Sequence, residues 1–278
     1  MKAAIAPLTH RMVRVGPSPA IALEVAGRGP LVLFLHGIGG HRSTWDAQLE
    51  AVSTAFTAAA WDARGYGDSD DYPGALEFAD FSDDLLRVLE HFEARTAHLV
   101  GQSMGGRIAL DFYRRYPERV ATLTLVDTSA GSARVASAEE VEKFLRLRKQ
   151  PLLDGRTPRD IAPSVADTLI GPDTSAAVRQ RVIDSLSELH VDSYLKTLDT
   201  VTRYTRVPDF ASITVPTLVV VGEHDRIATP EYAREMAARI PGARLVELAG
   251  GSHVSNMDRP EDFNRALLAF LHEHTGQS

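Results

Sequence analysis

The stretch VGQSMGGRIAL, residues 100–110, places a serine between glycines where an apolar run gives way to a helical pattern. Residues 101–105 within it fit the pattern G-x-S-x-G. In this pattern the serine occupies a tight strand-to-helix turn, and the flanking glycines let the helix and neighbouring strands approach without Cβ clashes. The sequence therefore predicts a turn that holds the Ser103 hydroxyl above the edge of a sheet.

A helix that starts at Met104 also supplies a backbone donor beside the serine. The first N–H groups of a helix have no intrahelical acceptor and point toward incoming negative charge. The Met104 N–H is therefore a candidate oxyanion donor. The five-residue match alone is equally what small residues packing a strand–helix junction would show, so the rest of the chain must supply further evidence.

A serine hydroxyl is a weak nucleophile unless a base takes its proton and a third group orients that base. In VVVGEHDRIATP, residues 219–230, Asp225 follows an apolar run, and in LAGGSHVSNMDRP, residues 248–260, His253 follows the next run. Parallel strands bring their carboxyl ends to one edge of a sheet, where ligands bind. The chain order Ser103, Asp225, His253 is the order expected of such a site, so we predict these three residues as nucleophile, orienting acid and base.

Asp127 is the rival for the orienting carboxylate. It ends the run TLVDTS, residues 124–129, and follows Ser103 by 24 residues. A histidine on a long loop could reach either acid. Asp225 is preferred because it occupies the place in the chain that the order Ser, Asp, His requires, and Asp127 is expected to cap or buttress the start of the helical segment that follows it.

The sequence alternates short apolar runs with longer amphipathic stretches, which predicts an α/β fold with a mostly parallel, doubly wound sheet. The predicted strands are PLVLFLHG (30–37), TAAAWDARG (57–65), AHLVGQS (97–103), VATLTLVDTS (120–129), PTLVVVGEHD (216–225) and ARLVELAGGSH (243–253). The predicted helices are DFSDDLLRVLEHF (80–92), GGRIALDFYRRYP (105–117), PEYAREMAARIP (230–241) and PEDFNRALLAFLHEH (260–274). Right-handed crossovers would place these helices on both faces of the sheet.

One segment breaks this alternation. Residues 130–207 contain helical patterns and no strand-like run, so we predict an inserted helical cap, with residues 1–129 and 208–278 forming an α/β core of sheet and helices. The cap has 12 Lys and Arg against 11 Asp and Glu, a net charge of +1. Because the whole chain has a net charge of −7, the other residues together carry −8. Two explanations are open for this difference in net charge between the cap and the rest of the chain. It is either ordinary variation in charged surface residues, or a property of a cap that accepts an anionic substrate.

The densest basic run in the cap is KFLRLRKQ, residues 143–150. On a helix, Lys143, Arg146 and Lys149 would share a face because positions three and four apart are neighbours, while Arg148 would point elsewhere. Arg146 and Lys149 are therefore the candidate substrate-binding cations, with Arg146 buried. The alternative is that all of these side chains are solvated and merely balance nearby glutamates.

Composition narrows the classes of partner. The 278-residue chain has no cysteine, which excludes disulfides and thiolate metal sites, and its net charge of −7 opposes binding to nucleic acid. No run of 18 apolar residues occurs, and the N-terminal MKAAIAPLTHRMVRVG lacks a signal-peptide core. We expect a cytoplasmic protein with a small-molecule substrate and with no metal or other cofactor. The sequence leaves its oligomeric state open.

The chain as a whole resembles the α/β-hydrolase superfamily over roughly residues 20–274, apart from the cap. The resemblance is carried by HGIGG (36–40), WDARGYGDSD (61–70), GQSMGG (101–106), GEHDRIATP (222–230) and GGSHVSNMDRPEDF (250–263). In layout the chain is most similar to 3-oxoadipate enol-lactonases and related bacterial esterases of ring-degradation pathways. In that fold, the loop after the third strand offers Ile38 as the second oxyanion N–H beside Met104.

This resemblance implies a serine hydrolase that cleaves a carboxylic ester or lactone of a small substrate, either anionic or neutral, through an acyl-enzyme on Ser103. Relatives that open epoxides or displace halide have aspartate at this position, so a serine indicates attack on a carbonyl carbon. A carbon–carbon bond hydrolase of diketone-type substrates would use the same residues. A ligand-binding relative without activity could retain them as well. The sequence does not identify the substrate or the mobility of the cap.

Overall fold

The computed structural model describes residues 10–129, 137–206 and 208–275. The predicted cap boundaries at residues 130 and 207 lie outside the described residues, as do residues 1–9 of the N-terminal segment. The strands are β1 (Arg11–Val15), β2 (Ile21–Gly27), β3 (Leu31–Leu35), β4 (Thr57–Trp61), β5 (Ala97–Gln102), β6 (Val120–Val126), β7 (Thr217–Gly222) and β8 (Arg244–Leu248).

These eight strands form one sheet in the order β1-β2-β4-β3-β5-β6-β7-β8. The six strands from β3 to β8 pair in parallel and correspond to the six predicted apolar runs. β1 and β2 were not predicted, and they extend the sheet through antiparallel pairings of β1 with β2 and of β2 with β4. The predicted mostly parallel sheet is therefore confirmed, with an antiparallel edge added at the N-terminus.

The helices follow the strands in the alternating order that the sequence predicts. They are α1 (Asp46–Val52), α2 (Ala79–His91), α3 (Met104–Arg115), α4 (Ala138–Leu153), α5 (Pro158–Leu169), α6 (Ala176–Ser187), α7 (Val191–Arg203), α8 (Pro230–Arg239), α9 (Ser255–Asp258) and α10 (Pro260–Glu273). All four predicted helices are present, as α2, α3, α8 and α10.

Helices cover both faces of the sheet, and the side chains of each strand alternate between these two faces. In β3, Leu31, Leu33 and Leu35 pack into a core shared with α2, α3 and α8. Val32 and Phe34 point the other way, into a core shared with α1 and α10. Strands buried on both faces need the nearly continuous apolar sequences that these runs have.

Four consecutive helices, α4 to α7, lie between β6 and β7 and are called here the helical segment. Two of them begin with a capping box, Ser137 with Glu140 for α4 and Thr157 with Asp160 for α5, in which each side chain satisfies the other's backbone N–H. The helical segment contacts the loops beyond the carboxyl ends of β3 and β4. Its Ser185 donates a 2.7 Å hydrogen bond to the carbonyl of Gly39, so the segment lies over the edge of the sheet that holds the candidate site.

Across the described ranges, we find no helix with the length and apolarity to span a membrane.

Candidate active site

Ser103 occupies the predicted turn between β5 and α3. Its φ angle is +51°, a left-handed conformation that is strained for a residue with a side chain. Its N–H donates a 2.9 Å hydrogen bond to the carbonyl of Val126 at the end of β6. A Cβ at Gly101 would overlap the backbone of Gly105, and one at Gly105 would overlap the carbonyl of Leu35. The glycines are therefore required for α3 to pack this closely against the strands.

The structure brings Ser103, His253 and Asp225 together, although 150 residues separate the first two along the chain. Nε2 of His253 lies 3.0 Å from Oγ of Ser103, and its Nδ1 lies 2.8 Å from Oδ2 of Asp225. Oδ1 of Asp225 accepts hydrogen bonds from the N–H groups of Ile227, at 2.8 Å, and Ala228, at 3.0 Å. The carboxylate is thereby fixed in orientation, and it fixes the imidazole in turn.

The backbone N–H and carbonyl of His253 both make hydrogen bonds that hold its loop in place. The His253 N–H donates to the carbonyl of Leu169 at the end of α5, at 3.1 Å. Its carbonyl accepts a 2.6 Å hydrogen bond from the side-chain amide of Gln102, the residue before the serine. The imidazole is thus positioned by the helical segment on one side and by the serine turn on the other.

The protonation behaviour of His253 follows from its surroundings. Burial acts to lower the pKa of its imidazole, but the adjacent Asp225 carboxylate and the nearby Asp127 charge raise it above its ordinary value. A carboxylate at Nδ1 favours the tautomer whose Nδ1–H donates to Asp225 and whose Nε2 accepts from the Ser103 hydroxyl. This is the arrangement needed to remove a proton from a serine.

Asp127, the rival acid, is fully buried, and neither of the two hydrogen bonds described next involves His253. Oδ1 accepts from the N–H of Gly222 at 2.9 Å and Oδ2 from the N–H of Ser255 at 2.9 Å. Burial and the charge of Asp225 raise the pKa of the Asp127 carboxyl. Asp127 thus ties the end of β7 and the histidine loop to the end of β6. The start of the helical segment that it was expected to cap or buttress, residues 130–136, lies outside the described residues.

The two predicted oxyanion donors lie beside the serine. Ile38 and Met104 line the same cavity as Ser103 and His253. Met104 is the first residue of α3, where a backbone N–H has no intrahelical acceptor. The loop that holds Ile38 is closed by a 3.0 Å hydrogen bond from the N–H of Gly40 to the carbonyl of Gly37.

His36 stabilises this loop through both of its ring nitrogens. Its Nδ1 lies 2.8 Å from the carbonyl of Gly37, and its Nε2 accepts from the N–H of Ala63 at 3.0 Å. Burial lowers the pKa of His36 to about 4. It is therefore neutral near pH 7, with the proton on Nδ1.

The cavity in front of Ser103 has a volume of about 390 Å³. Most of the wall opposite the serine comes from the helical segment and is apolar, including Val141, Phe144, Leu169, Tyr194, Leu198 and Val201. A volume of this size suits a small organic molecule. The rim is open at Phe144 and Ile227, whose side chains are 41% and 50% exposed.

The predicted substrate-binding cations are not at this cavity. Arg146 is exposed on the outer face of α4, and Lys149 pairs with Asp199 of α7. Instead Arg148, which was expected to point elsewhere, lines the cavity. The reason is that the inward face of α4 is defined by its buried apolar residues, and Arg148 lies one turn from Leu145 on that face.

Sequence reasoning missed a second cation, Arg107, which also lines the cavity. The available signal was its position four residues after Ser103, which caps the start of the helix, because positions one turn apart lie on the same side of a helix.

In the portions of the chain that the structure describes, no three His, Cys, Asp or Glu side chains lie together in a group suited to hold a metal ion. His224, which neighbours Asp225 in sequence, turns away from the site and lies 3.5 Å from Asp173.

Comparison with known proteins agrees with the fold and with the resemblance seen in the sequence. The 3-oxoadipate enol-lactonase 2 of Acinetobacter baylyi is 24% identical over 258 residues, covering 90% of this chain and 93% of that protein. A thermophilic esterase from Thermogutta terrifontis, solved with malate bound, has a TM-score of 0.84 and 28% identity, covering 96% of this chain and 99% of that one.

The enol-lactonase from Burkholderia xenovorans LB400 has a TM-score of 0.80 and 26% identity, with 91% of this chain and 96% of that one covered. The model of the alpha/beta hydrolase fold family matches residues 30–260, which include every strand from β3 onward and the serine, acid and histidine loops. The chain belongs to the α/β-hydrolase fold family.

Proposed function

We propose that this protein is a serine hydrolase that cleaves a carboxylic ester or lactone through an acyl-enzyme on Ser103. The observation that carries the proposal is the continuous hydrogen-bonded series from Ser103 Oγ to His253, at 3.0 Å, and from His253 to Asp225, at 2.8 Å, at the base of a cavity. A nucleophile in contact with a base that a third group orients is the arrangement that acyl transfer requires.

In the first half of the reaction, Nε2 of His253 takes the Ser103 proton while Oγ adds to the substrate carbonyl carbon. The negative charge that develops on the carbonyl oxygen is stabilised by the N–H groups of Ile38 and Met104, each contributing about 3 kcal/mol to the transition state. The intermediate then expels the alkoxide, which takes the proton from His253. In a lactone this step opens the ring, and the new hydroxyl stays on the acyl group.

In the second half, water replaces the alcohol. His253 takes a proton from the water as its oxygen adds to the acyl carbon, and the same N–H groups stabilise the second oxyanion. When the intermediate collapses, Ser103 leaves and recovers its proton from His253. The products are a carboxylic acid and an alcohol, and the enzyme is restored.

The names of the relatives support an ester or lactone as the substrate class, since they are an esterase and enol-lactonases of 24–28% identity. Serine supports attack at a carbonyl, because displacement at a saturated carbon uses a carboxylate nucleophile. Within this proposal residues 130–207 act as a cap that shapes the cavity over a core of residues 1–129 and 208–278. Its apolar wall would bind the uncharged part of a small substrate.

The test is a panel of p-nitrophenyl esters, lactones and diketones assayed with the wild type, Ser103→Ala, His253→Ala and the double variant. Each single substitution is expected to lower kcat by roughly four orders of magnitude or more, and the double variant to lose little more, because the two residues act as one unit. Ser164→Ala, an exposed serine on α5, is the matched control and should retain activity.

A fluorophosphonate probe provides a second measurement, since it should label Ser103 in the wild type and in Ser164→Ala but not in Ser103→Ala. Additive losses in the double variant, or a folded wild type that is not labelled, would contradict the proposal. Turnover of diketones alone would reassign the chemistry to carbon–carbon bonds. Labelling without turnover of any compound would leave a ligand-binding protein.

A further inference from the structure

Arg107 is a cation at the wall of the cavity, and no acidic side chain among the described residues pairs with it. One nitrogen of its guanidinium, Nη2, donates to the carbonyl of Tyr204, and the guanidinium carbon lies 5.9 Å from the centre of the Tyr204 ring. Its Nε is buried and has no hydrogen-bond partner among the residues that the structure describes. Asp111, one turn further along α3, pairs instead with Arg114 and Arg115.

The stretches outside the described residues cannot supply that partner from a side chain. Residues 1–9, 130–136, 207 and 276–278 contain no aspartate and no glutamate. A charge removed from water without a counter-charge is unfavourable, and proteins retain such groups where a ligand compensates them. Burial lowers the pKa of Arg107 to about 10, so the side chain is still protonated near pH 7.

The position of Arg107 relative to Ser103 defines where a ligand charge would lie. Arg107 follows Ser103 by one helical turn, and its N–H donates a 3.2 Å hydrogen bond to the Ser103 carbonyl. One turn rises on the order of 6 Å, and helical side chains lean back toward the N-terminus, here toward Ser103. An anion at Arg107 would therefore lie only a few bonds from a carbonyl carbon at Ser103.

The other charged groups of the cavity favour an anion as well. Arg148 lines it, donating a 2.8 Å hydrogen bond to the hydroxyl of Thr168, with its guanidinium carbon 5.6 Å from the centre of the Phe144 ring. The carboxylate that lines the cavity is Asp127, and its two oxygens already accept from backbone N–H groups. Two arginines therefore face the cavity with their charge available to a ligand.

We propose that Arg107 binds a carboxylate of the substrate, so that the enzyme acts on esters or lactones whose acyl part carries a second, ionised carboxyl group close to the scissile carbonyl. This proposal rests on the proposed function and specifies its substrate class. A carboxylate in the acyl part stays paired with Arg107 in the acyl-enzyme as well as in the first complex. Arg148, nearer the rim, would attract the same charge as the substrate enters.

The test compares two esters that differ in one charge. Mono-p-nitrophenyl glutarate has a free carboxylate, and in methyl p-nitrophenyl glutarate that carboxylate is a methyl ester. The wild type should prefer the anionic ester in kcat/KM. Arg107→Gln should lower kcat/KM for the anionic ester about 10- to 100-fold and change that for the neutral ester less than about threefold. Arg107→Lys should recover part of the loss, because it restores the charge without the planar fork.

Arg159→Gln, an exposed cation of the helical segment, is the control for the loss of one positive charge and should leave both esters unaffected. If Arg107 only anchors the carbonyl of Tyr204, Arg107→Gln will lower kcat/KM for both esters by the same factor, and the proposal is overturned. A wild type without preference for the anionic ester overturns it too.

Binding of glutarate separates this proposal from the proposed function and does not depend on turnover. By calorimetry, glutarate should bind the wild type and Ser103→Ala but not Arg107→Gln, and dimethyl glutarate should not compete. If glutarate binds in this way while no ester is hydrolysed, the carboxylate site stands and the proposed function fails. If esters are hydrolysed but glutarate does not bind, the carboxylate site fails alone. Should Arg107→Gln not fold, the wild-type preference and the competition by dimethyl glutarate decide the outcome.

Discussion

The backbone N–H of Ser255 donates a 2.9 Å hydrogen bond to Oδ2 of Asp127, which fixes the histidine loop to the end of β6. The other oxygen of Asp127 holds the N–H of Gly222 at the end of β7. One buried carboxylate thus joins two strand ends and the loop that carries His253. The site therefore contains two aspartates near one histidine, and the geometry gives them different tasks.

Asp225→Asn should lower kcat by a factor on the order of 10⁴, because an amide at this position lacks the charge and holds the imidazole in the wrong tautomer. The contact at issue is the 2.8 Å hydrogen bond from Nδ1 of His253 to Oδ2 of Asp225. Steady-state kinetics on a p-nitrophenyl ester measure the effect. A loss in Asp127→Asn that exceeds the loss in Asp225→Asn would move the orienting role to Asp127.

Asp127→Asn should act mainly on stability. The asparagine amide would point its NH₂ at one of the two N–H donors, leaving that donor unsatisfied, which costs roughly 2–3 kcal/mol in the free energy of unfolding. Asparagine tolerates the left-handed φ of +44° at this residue, so backbone strain does not confuse the comparison. Urea unfolding checks the prediction, and an unchanged midpoint would show that the carboxylate does not brace the loop.

The pH dependence of kcat/KM should report His253 in the free enzyme. Since the base must be neutral, activity falls as the pH drops through its pKa. That pKa is raised in the folded protein, so the acid limb should have its midpoint above the ordinary imidazole value of about 6.5.

Removing the charge of Asp127 should move this midpoint to lower pH, because Asp127 is one of the charges that raise the pKa of His253. Asp262→Asn, an exposed carboxylate on α10, is the control and should leave the midpoint where it is. A wild-type midpoint below 6.5 would contradict the assignment of the limb to His253. A midpoint that Asp127→Asn does not move would show that Asp127 carries no charge at that pH.

The sheet could be predicted from the sequence where burial on both faces leaves a nearly continuous apolar run, as in LVLFL of β3. The same logic located Ser103, Asp225 and His253, because the carboxyl ends of parallel strands share an edge. β1 was not predicted because its sequence RMVRV is short and half polar, and only Val13 and Val15 are buried. Such an antiparallel edge strand forms through its pairing with β2, which no local pattern specifies.

The face of α4 that points toward the cavity was predicted incorrectly, because the prediction followed the spacing of the basic residues and not that of the apolar ones. Grouping Arg146 with Lys149 treated the basic residues as a functional stripe. Val141, Leu145 and Leu152 recur at helical spacing and set the inward face, and Arg148 falls among them. Which long side chain then reaches the cavity depends on how α4 packs over the core, and the sequence pattern alone does not contain that placement.

Arg146→Ala and Lys149→Ala should therefore leave substrate binding unchanged. Arg146 is exposed, and the ion pair of Lys149 with Asp199 is partly exposed, with 23% and 37% of the two side chains accessible. An ion pair of this kind contributes at most about 1 kcal/mol to stability, so Lys149→Ala should lower the free energy of unfolding only slightly. KM for mono-p-nitrophenyl glutarate should change less than about twofold in either variant, whereas Arg148→Gln should raise it. A rise confined to the anionic ester in Arg146→Ala would instead place the substrate carboxylate on the outer face of α4.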